Sequence, residues 1–248
     1  MDSYSRYANE WTRDMRSGQV FSRSFIEKPA MRAKLPDLRE KKVLCVGSGS
    51  GDECRELADL GATVLGIDRS PELISIARAN FPEIEFRQMD MEELELPKAS
   101  FDFVYASLVL HYTNHWTEVL KGISNVMKPG GSCLFSVNHP VAWAAETVDE
   151  GDRKARLLGY EQDGAEIILR GDYLATRLLR DTWFGYFDVS FYTRPISRVF
   201  RDIREAGFQV IDFLEPPAVA EGVIVDPQRH ARYQKIPLFM IFELRKPF

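Results

Sequence analysis

The chain has 248 residues, 45% of them hydrophobic and 28% charged, with a formal net charge of −5. Those proportions are ordinary for a globular protein, and the acidic balance excludes the basic excess with which a protein tracks a phosphate backbone. The length suits one large domain or two small ones.

Charges run throughout the opening MDSYSRYANEWTRDMRSG, which leaves no signal-peptide apolar region. No apolar stretch approaches membrane-spanning length. Cys45, Cys54 and Cys133 have neither metal-ligand nor disulfide-framework spacing and read as small buried hydrophobes in a reducing compartment. The expectation is a cytoplasmic protein with no membrane or metal partner.

KKVLCVG (41–47) is a short apolar run stopped by glycine, as suits a buried strand. DECRELADLG (52–61) has helical spacing and ends on Gly61. ATVLGID (62–68) is a second strand, and Ser70 with Pro71 opens a helix over SPELISIARANF. IEFRQMD (84–90) and SFDFVYAS (100–107) are the third and fourth strands. A helix follows over 114–128, then a KPGG turn (128–131) and a fifth strand, SCLFSVN (132–138). Alternating strands and helices at this spacing indicate a parallel sheet covered on both faces.

The alternation breaks after residue 140. AEIILRGDYLATRLLRDTW and YFDVSFYTR read as antiparallel strand material, and ISRVFRDIREAGF (196–208) as a helix. QVIDFLEP (209–216) and PLFMIFELRK (237–246) close the sheet. The predicted fold is α/β: a doubly wound, mostly parallel seven-stranded sheet with helices on both faces and an inserted β-rich lid. The predicted organisation is an N-terminal helical cap at 1–40, a core at 41–140, a lid and substrate region at 141–194, and the C-terminal part of the core sheet at 195–248.

In open parallel sheets ligands sit beyond the carboxyl ends of the strands. Gly47, Gly49 and Gly51 lie at such an end, before a helix N-terminus. The dinucleotide fingerprint requires a third glycine where this chain has Asp52, and Asp52 and Glu53 in the first helical turn would repel a pyrophosphate. A zwitterion fits better, and Asp68 at the end of the second strand suits a ribose diol. Amino acid plus ribose points to S-adenosylmethionine (SAM).

VLCVGSGSGD resembles the first motif of class I SAM-dependent methyltransferases, and GIDRS their second-strand motif. RQMDMEELELP, FDFVYASLVLHY and KPGGSCLF resemble the third, fourth and fifth. The likeness extends from Lys41 to Pro140 and implies a Rossmann-like methyltransferase fold. IEKPAMRAKLPDL and the later FYTRPISRVFRDIREAGF segment resemble a bacterial small-molecule branch of the family, type 11-like. The family commonly has an acid where this chain has Cys45, and a Cys or Ala where it has Ser48. The resemblance implies that this acid helps order the glycine loop.

It also implies that Gly47, Ser48, Gly49 and Gly51 meet the amino-acid end of SAM, and that Asp68 holds the ribose with Arg69 flanking the adenine. Asp90 and the Met91 amide are expected at the adenine edge, and Ser107 presents backbone to the ammonium. S-adenosylhomocysteine (SAH) is the expected by-product.

Methyl transfer by in-line displacement asks mainly for positioning and, where the nucleophile carries a proton, for a base. His111 and His139 follow the fourth and fifth strands, so both are candidates to orient or deprotonate the acceptor. Tyr7, Trp11, Arg23, Phe25, Tyr112, Trp143, Trp183, Tyr192 and Arg194 are the candidate acceptor contacts. They favour a small aromatic or heteroaromatic metabolite. The expected partner is that small molecule, with no nucleic acid, and the expected state is a monomer or homodimer. An RNA methyltransferase with RHARYQK (229–235) as its basic cluster, a non-catalytic SAM-binding regulator, and other chemistry on the same fold such as cyclisation stay open.

Overall fold

The computed structural model describes residues 3–150 and 153–248. Two short helices, α1 (Ser3–Arg6) and α2 (Ala8–Arg16), precede a π-helical turn (Arg23–Glu27) that runs into α3 (Lys28–Ala33). Then come β1 (Lys42–Val46), α4 (Asp52–Asp59), β2 (Thr63–Asp68), α5 (Pro71–Asn80) and β3 (Glu85–Gln88). They are followed by β4 (Phe101–Ser107), a 3-10 turn (Leu110–Tyr112), α6 (Trp116–Val126), β5 (Met127–Asn138) and α7 (Pro140–Trp143).

Three antiparallel hairpins come next: β6 (Glu146–Glu150) with β7 (Arg153–Leu157), β8 (Gly159–Asp163) with β9 (Glu166–Arg170), and β10 (Arg177–Trp183) with β11 (Phe187–Thr193). The remaining elements are α8 (Ile196–Glu205), β12 (Gln209–Leu214), α9 (Gly222–Val225), α10 (Pro227–Tyr233) and β13 (Phe239–Arg245).

The seven strands of the main sheet lie in the order β12-β13-β5-β4-β1-β2-β3, with β13 antiparallel to both its neighbours. The period-two alternation of the strands divides the core. Leu44, Val46, Val104 and Phe135 face α6 and α8. Val43, Cys45, Phe103 and Leu134 face α3, α4 and α5. Ser70 caps α5 as expected, its hydroxyl accepting from the Leu73 amide at 3.2 Å. All three cysteines are buried, and burial pushes the Cys133 thiol up to about 12.

The chain steps outward from β1 through β2 to β3, then crosses back to place β4 on the other side of β1. That reversal opens a crevice beyond the carboxyl ends of β1 and β4, where α/β sheets take their ligands.

One expected boundary shifts. KPGG does not end before the fifth strand. β5 already begins at Met127, and the pairing with β4 slips between Phe101 and Phe103. Gly130, at φ +74°, absorbs the irregularity. AEIILRGDYLATRLLRDTW, read as antiparallel strand material, forms β9 and β10. It breaks at Gly171, whose φ is +77° and where a Cβ would come within 2.5 Å of the Ala144 carbonyl oxygen.

Candidate active site

The first glycine turn is built on backbone geometry that side chains resist. Gly47 has φ +70°, and a Cβ there would lie 2.5 Å from Val109 Cγ2. Gly49, at φ +53°, has nothing within 4 Å of its would-be Cβ. Gly47 is closed in by protein, whereas Gly49 presents bare backbone to open space. The Ser48 amide donates to the Ile67 carbonyl at 2.9 Å, and the Gly49 amide to Asp68 Oδ2 at 2.9 Å. Asp68 Oδ1 accepts the Ser70 amide at 2.9 Å. The carboxylate at the end of β2 therefore ties down the glycine turn, beside a first strand that carries Cys45.

This turn forms one wall of a cavity of about 1550 Å³. Of the expected cofactor residues, Gly47, Ser48, Gly49, Asp68, Arg69, Asp90, Met91 and Ser107 line it. Gly51 does not. A Cβ there would meet the Phe86 ring at 2.8 Å, and the residue serves instead as the left-handed N-cap of α4, φ +89°.

Across the cavity, Trp11, Arg23, Tyr112, Trp143 and Trp183 line the wall. Arg23 is ion-paired with Glu53 of α4, and Arg16 with Asp52 at 2.8 Å. The two acids at the start of α4 thus hold the N-terminal segment over the cavity. Phe187 of β11 stacks on Trp11 at 4.8 Å between ring centroids, and Trp143 meets Phe191 edge-on at 4.8 Å.

Four expected acceptor contacts lie off the cavity lining. Tyr7 packs edge-on against Tyr186, and Phe25 lies tilted against Phe21. Tyr192 falls on the face of β11 opposite Phe191, by strand alternation. Arg194 is buried, bonded to Asp202 at 2.6 Å and stacked 4.4 Å over the Trp116 ring. That arginine is a structural tie between β11, α6 and α8.

The two histidines separate. His139 lies outside the lining. Its Nδ1 accepts the Val141 amide at 3.1 Å, so its Nε2 carries the proton and donates to Glu215 Oε1 at 2.6 Å. Both ring nitrogens are engaged in holding α7 and the end of β12. His111 lines the cavity, is 2% exposed, and makes no hydrogen bond at either ring nitrogen among the described residues. Burial pushes its pKa down to about 3, so the ring is neutral.

Ser48 Oγ, Asn138 Nδ2 and Trp143 Nε1 are likewise buried, without a hydrogen-bond partner among the described residues, and line the same cavity. Buried polar groups are seldom left unpaired. Their convergence marks a cavity shaped for a polar ligand. Asn138 was not singled out from the sequence, although it ends a strand on the ligand side as Ser107 does. Tyr4 also lines the cavity, its hydroxyl bonded to that of Tyr112. Among the described residues no group of three or more His, Cys, Asp or Glu is placed to hold a metal ion.

The strand order with its reversal at β1, the bare Gly49 backbone and Asp68 beside it define a Rossmann-like methyltransferase. A family model described as a methyltransferase domain matches residues 44–135. A ubiquinone biosynthesis O-methyltransferase from Xanthomonas oryzae pv. oryzae is 30% identical over 165 residues, covering 64% of this chain and 69% of that one. A demethylmenaquinone methyltransferase from Chlorobaculum tepidum is 37% identical over 107 residues, but this chain spans only 44% of its length. A solved SAM-dependent methyltransferase from Mesorhizobium loti superposes with a TM-score of 0.73 at 27% identity, covering 89% of this chain and 97% of that one. The chain belongs to the class I SAM-dependent methyltransferases, and SAM is its cofactor. No described helix is long and apolar enough to cross a membrane.

Proposed function

We propose that this enzyme methylates a small, planar, partly apolar metabolite, held between the cofactor and an aromatic wall made by α2, α7 and the β10–β11 hairpin. The observation that carries the reading is His111. It is a neutral imidazole with both nitrogens unbonded among the described residues, on the wall shared by the glycine turn and the aromatic residues. Trp143 Nε1 and Asn138 Nδ2 add unpaired donors to the same cavity. A planar acceptor with one hydroxyl or ring nitrogen satisfies this set, whereas a wholly apolar one leaves it unpaired. The relative named for an O-methyl transfer in ubiquinone biosynthesis supports a small-molecule acceptor.

Bound SAM supplies an electrophilic methyl group on a sulfonium. The chain's own part is to position and to exclude water. Gly47, Ser48 and Gly49 receive the amino-acid end, and Asp68 accepts from the ribose. Asp90 and Met91 sit at the adenine edge. His111 orients the acceptor by accepting its hydrogen bond. With burial pushing the ring down to about 3, it orients the acceptor in preference to carrying a full proton. Trp11, Trp143 and Trp183 stack against the acceptor, and residues 141–194 act with 1–40 as the cover that keeps water out.

The test is incubation with methyl-labelled SAM and a metabolite extract, followed by mass spectrometry. The expected result is label on a low-molecular-weight aromatic product. His111→Ala is expected to lower kcat for that product at least tenfold. Label found on RNA, or on no product, sinks the reading.

A further inference from the structure

Glu27 is a buried acid with no cation beside it among the described residues. It is 1% exposed. The other buried acid, Asp202, has Arg194 at 2.6 Å. Glu27 instead accepts two hydroxyls on one oxygen, from Ser107 Oγ at 2.8 Å and Ser136 Oγ at 2.6 Å. These serines lie toward the carboxyl ends of β4 and β5, and Ser107 lines the cavity. Ser136 also receives the Leu108 amide, 3.0 Å from its Oγ and 3.1 Å from its carbonyl. Leu108 has φ +52°, a left-handed conformation that branched and bulky side chains disfavour. The carboxyl group is therefore wired to the strained corner that ends β4.

A carboxylate taken out of water needs a positive charge or several donors to hold it. The chain provides two hydroxyls. Arg23, four residues earlier on the same turn, is committed to Glu53. The turn itself is π-helical, an insertion that recurs at functional positions. Burial and then the charge of Glu27 raise the Tyr105 phenol, another lining residue, which places that charge close behind the cavity wall.

We propose that the Glu27 carboxylate is the counter-charge for the ammonium-bearing end of SAM, acting through the wall that Ser107 forms. Glu27 is then a positioning and selectivity residue. It favours ligands that carry the cationic amino-acid end over bare nucleosides. The inference rests on the cofactor site described above.

The test is calorimetry of the full chain with SAH, which carries the ammonium, and with 5′-methylthioadenosine, which keeps the nucleoside and thioether and lacks the amino-acid end. Glu27→Gln is expected to weaken SAH at least tenfold and methylthioadenosine less than twofold. Equal weakening of both ligands, or of neither, overturns the counter-charge. No heat with SAH on the unaltered chain overturns the cofactor site itself, and the counter-charge with it. Ser136→Ala, which keeps the carboxylate and removes one hydrogen bond, gives a second arm should Glu27→Gln fail to fold. Its SAH-to-methylthioadenosine preference is expected to stay within twofold of the unaltered chain, and a tenfold fall assigns the effect to hydrogen bonding and overturns the charge.

Discussion

Gly47 and Gly49 stand two residues apart and are glycine for different reasons. Gly47 combines φ +70° with a neighbour that leaves no room, since Val109 Cγ2 sits 2.5 Å from the would-be Cβ. Gly47→Ala therefore adds overpacking to backbone strain, each worth about 1–3 kcal/mol. Gly49→Ala adds strain alone. Thermal unfolding is expected to show the larger loss for Gly47→Ala. Calorimetry is expected to show a folded Gly49→Ala that binds SAH at least tenfold more weakly, because its methyl group projects into the ligand's space.

His111 links stability to pH. Its folded pKa lies near 3 and its unfolded value near 6.5, so the unfolded chain binds the extra proton between them. Stability is then full above pH 6.5 and falls as the solution is acidified. Between pH 7 and pH 5 the unaltered chain is expected to lose about 2 kcal/mol more than His111→Gln, measured by urea unfolding at each pH. In the sequence both His111 and His139 follow strands on the ligand side, and His111 is only slightly favoured there as the acceptor's partner. What separates them is Glu215, which follows β12 and is 76 positions from His139, and no local pattern announces such a pairing.

At the scale of elements, β1, α4, β2 and α5 were legible with their boundaries nearly right. Their signals are local: apolar alternation, a glycine stop, Ser70 before Pro71. The start of β5 was not, since proline and adjacent glycines read as a turn while the neighbouring strands hold them in the sheet through an irregular register. The β10–β11 hairpin is legible as strands but not as a partner. Phe187, Val189 and Phe191 form its inner edge, and what covers them is Tyr4, Tyr7 and Trp11 from the opposite end of the sequence. Phe187 is wholly buried and stacks on Trp11. Phe187→Ala is expected to cost ~3–5 kcal/mol by denaturant unfolding. It should also loosen the N-terminal helices, read as new proteolytic cleavage before residue 20. The other ties on these helices, Tyr186 Oη donating to Asp14 at 2.7 Å, the part-exposed Arg16–Asp52 pair and the Tyr4–Tyr112 hydroxyl contact, are individually weak.

For the whole molecule, the reversal of strand order at β1 decides where everything else gathers. The core motifs predicted a cofactor cleft there, and all the named cofactor residues but Gly51 line it. The acceptor side was harder to read. Its aromatic residues come from segments with no periodic frame to aim them, so of nine candidates only Trp11, Arg23, Tyr112, Trp143 and Trp183 reach the lining. Glu27 was invisible for a further reason: a single glutamate in IEKP carries no sign that it will be sealed against two serines 80 and 109 positions onward.

Trp11, Trp143 and Trp183 stand outside the stretch from Lys41 to Pro140 that carries every residue proposed to hold the nucleoside. With the acceptor role proposed for them, exchanging tryptophans at either flank redraws the chemical taste of the enzyme while leaving the methyl donor's seat untouched. The division of labour lies along the chain as well as across the cleft.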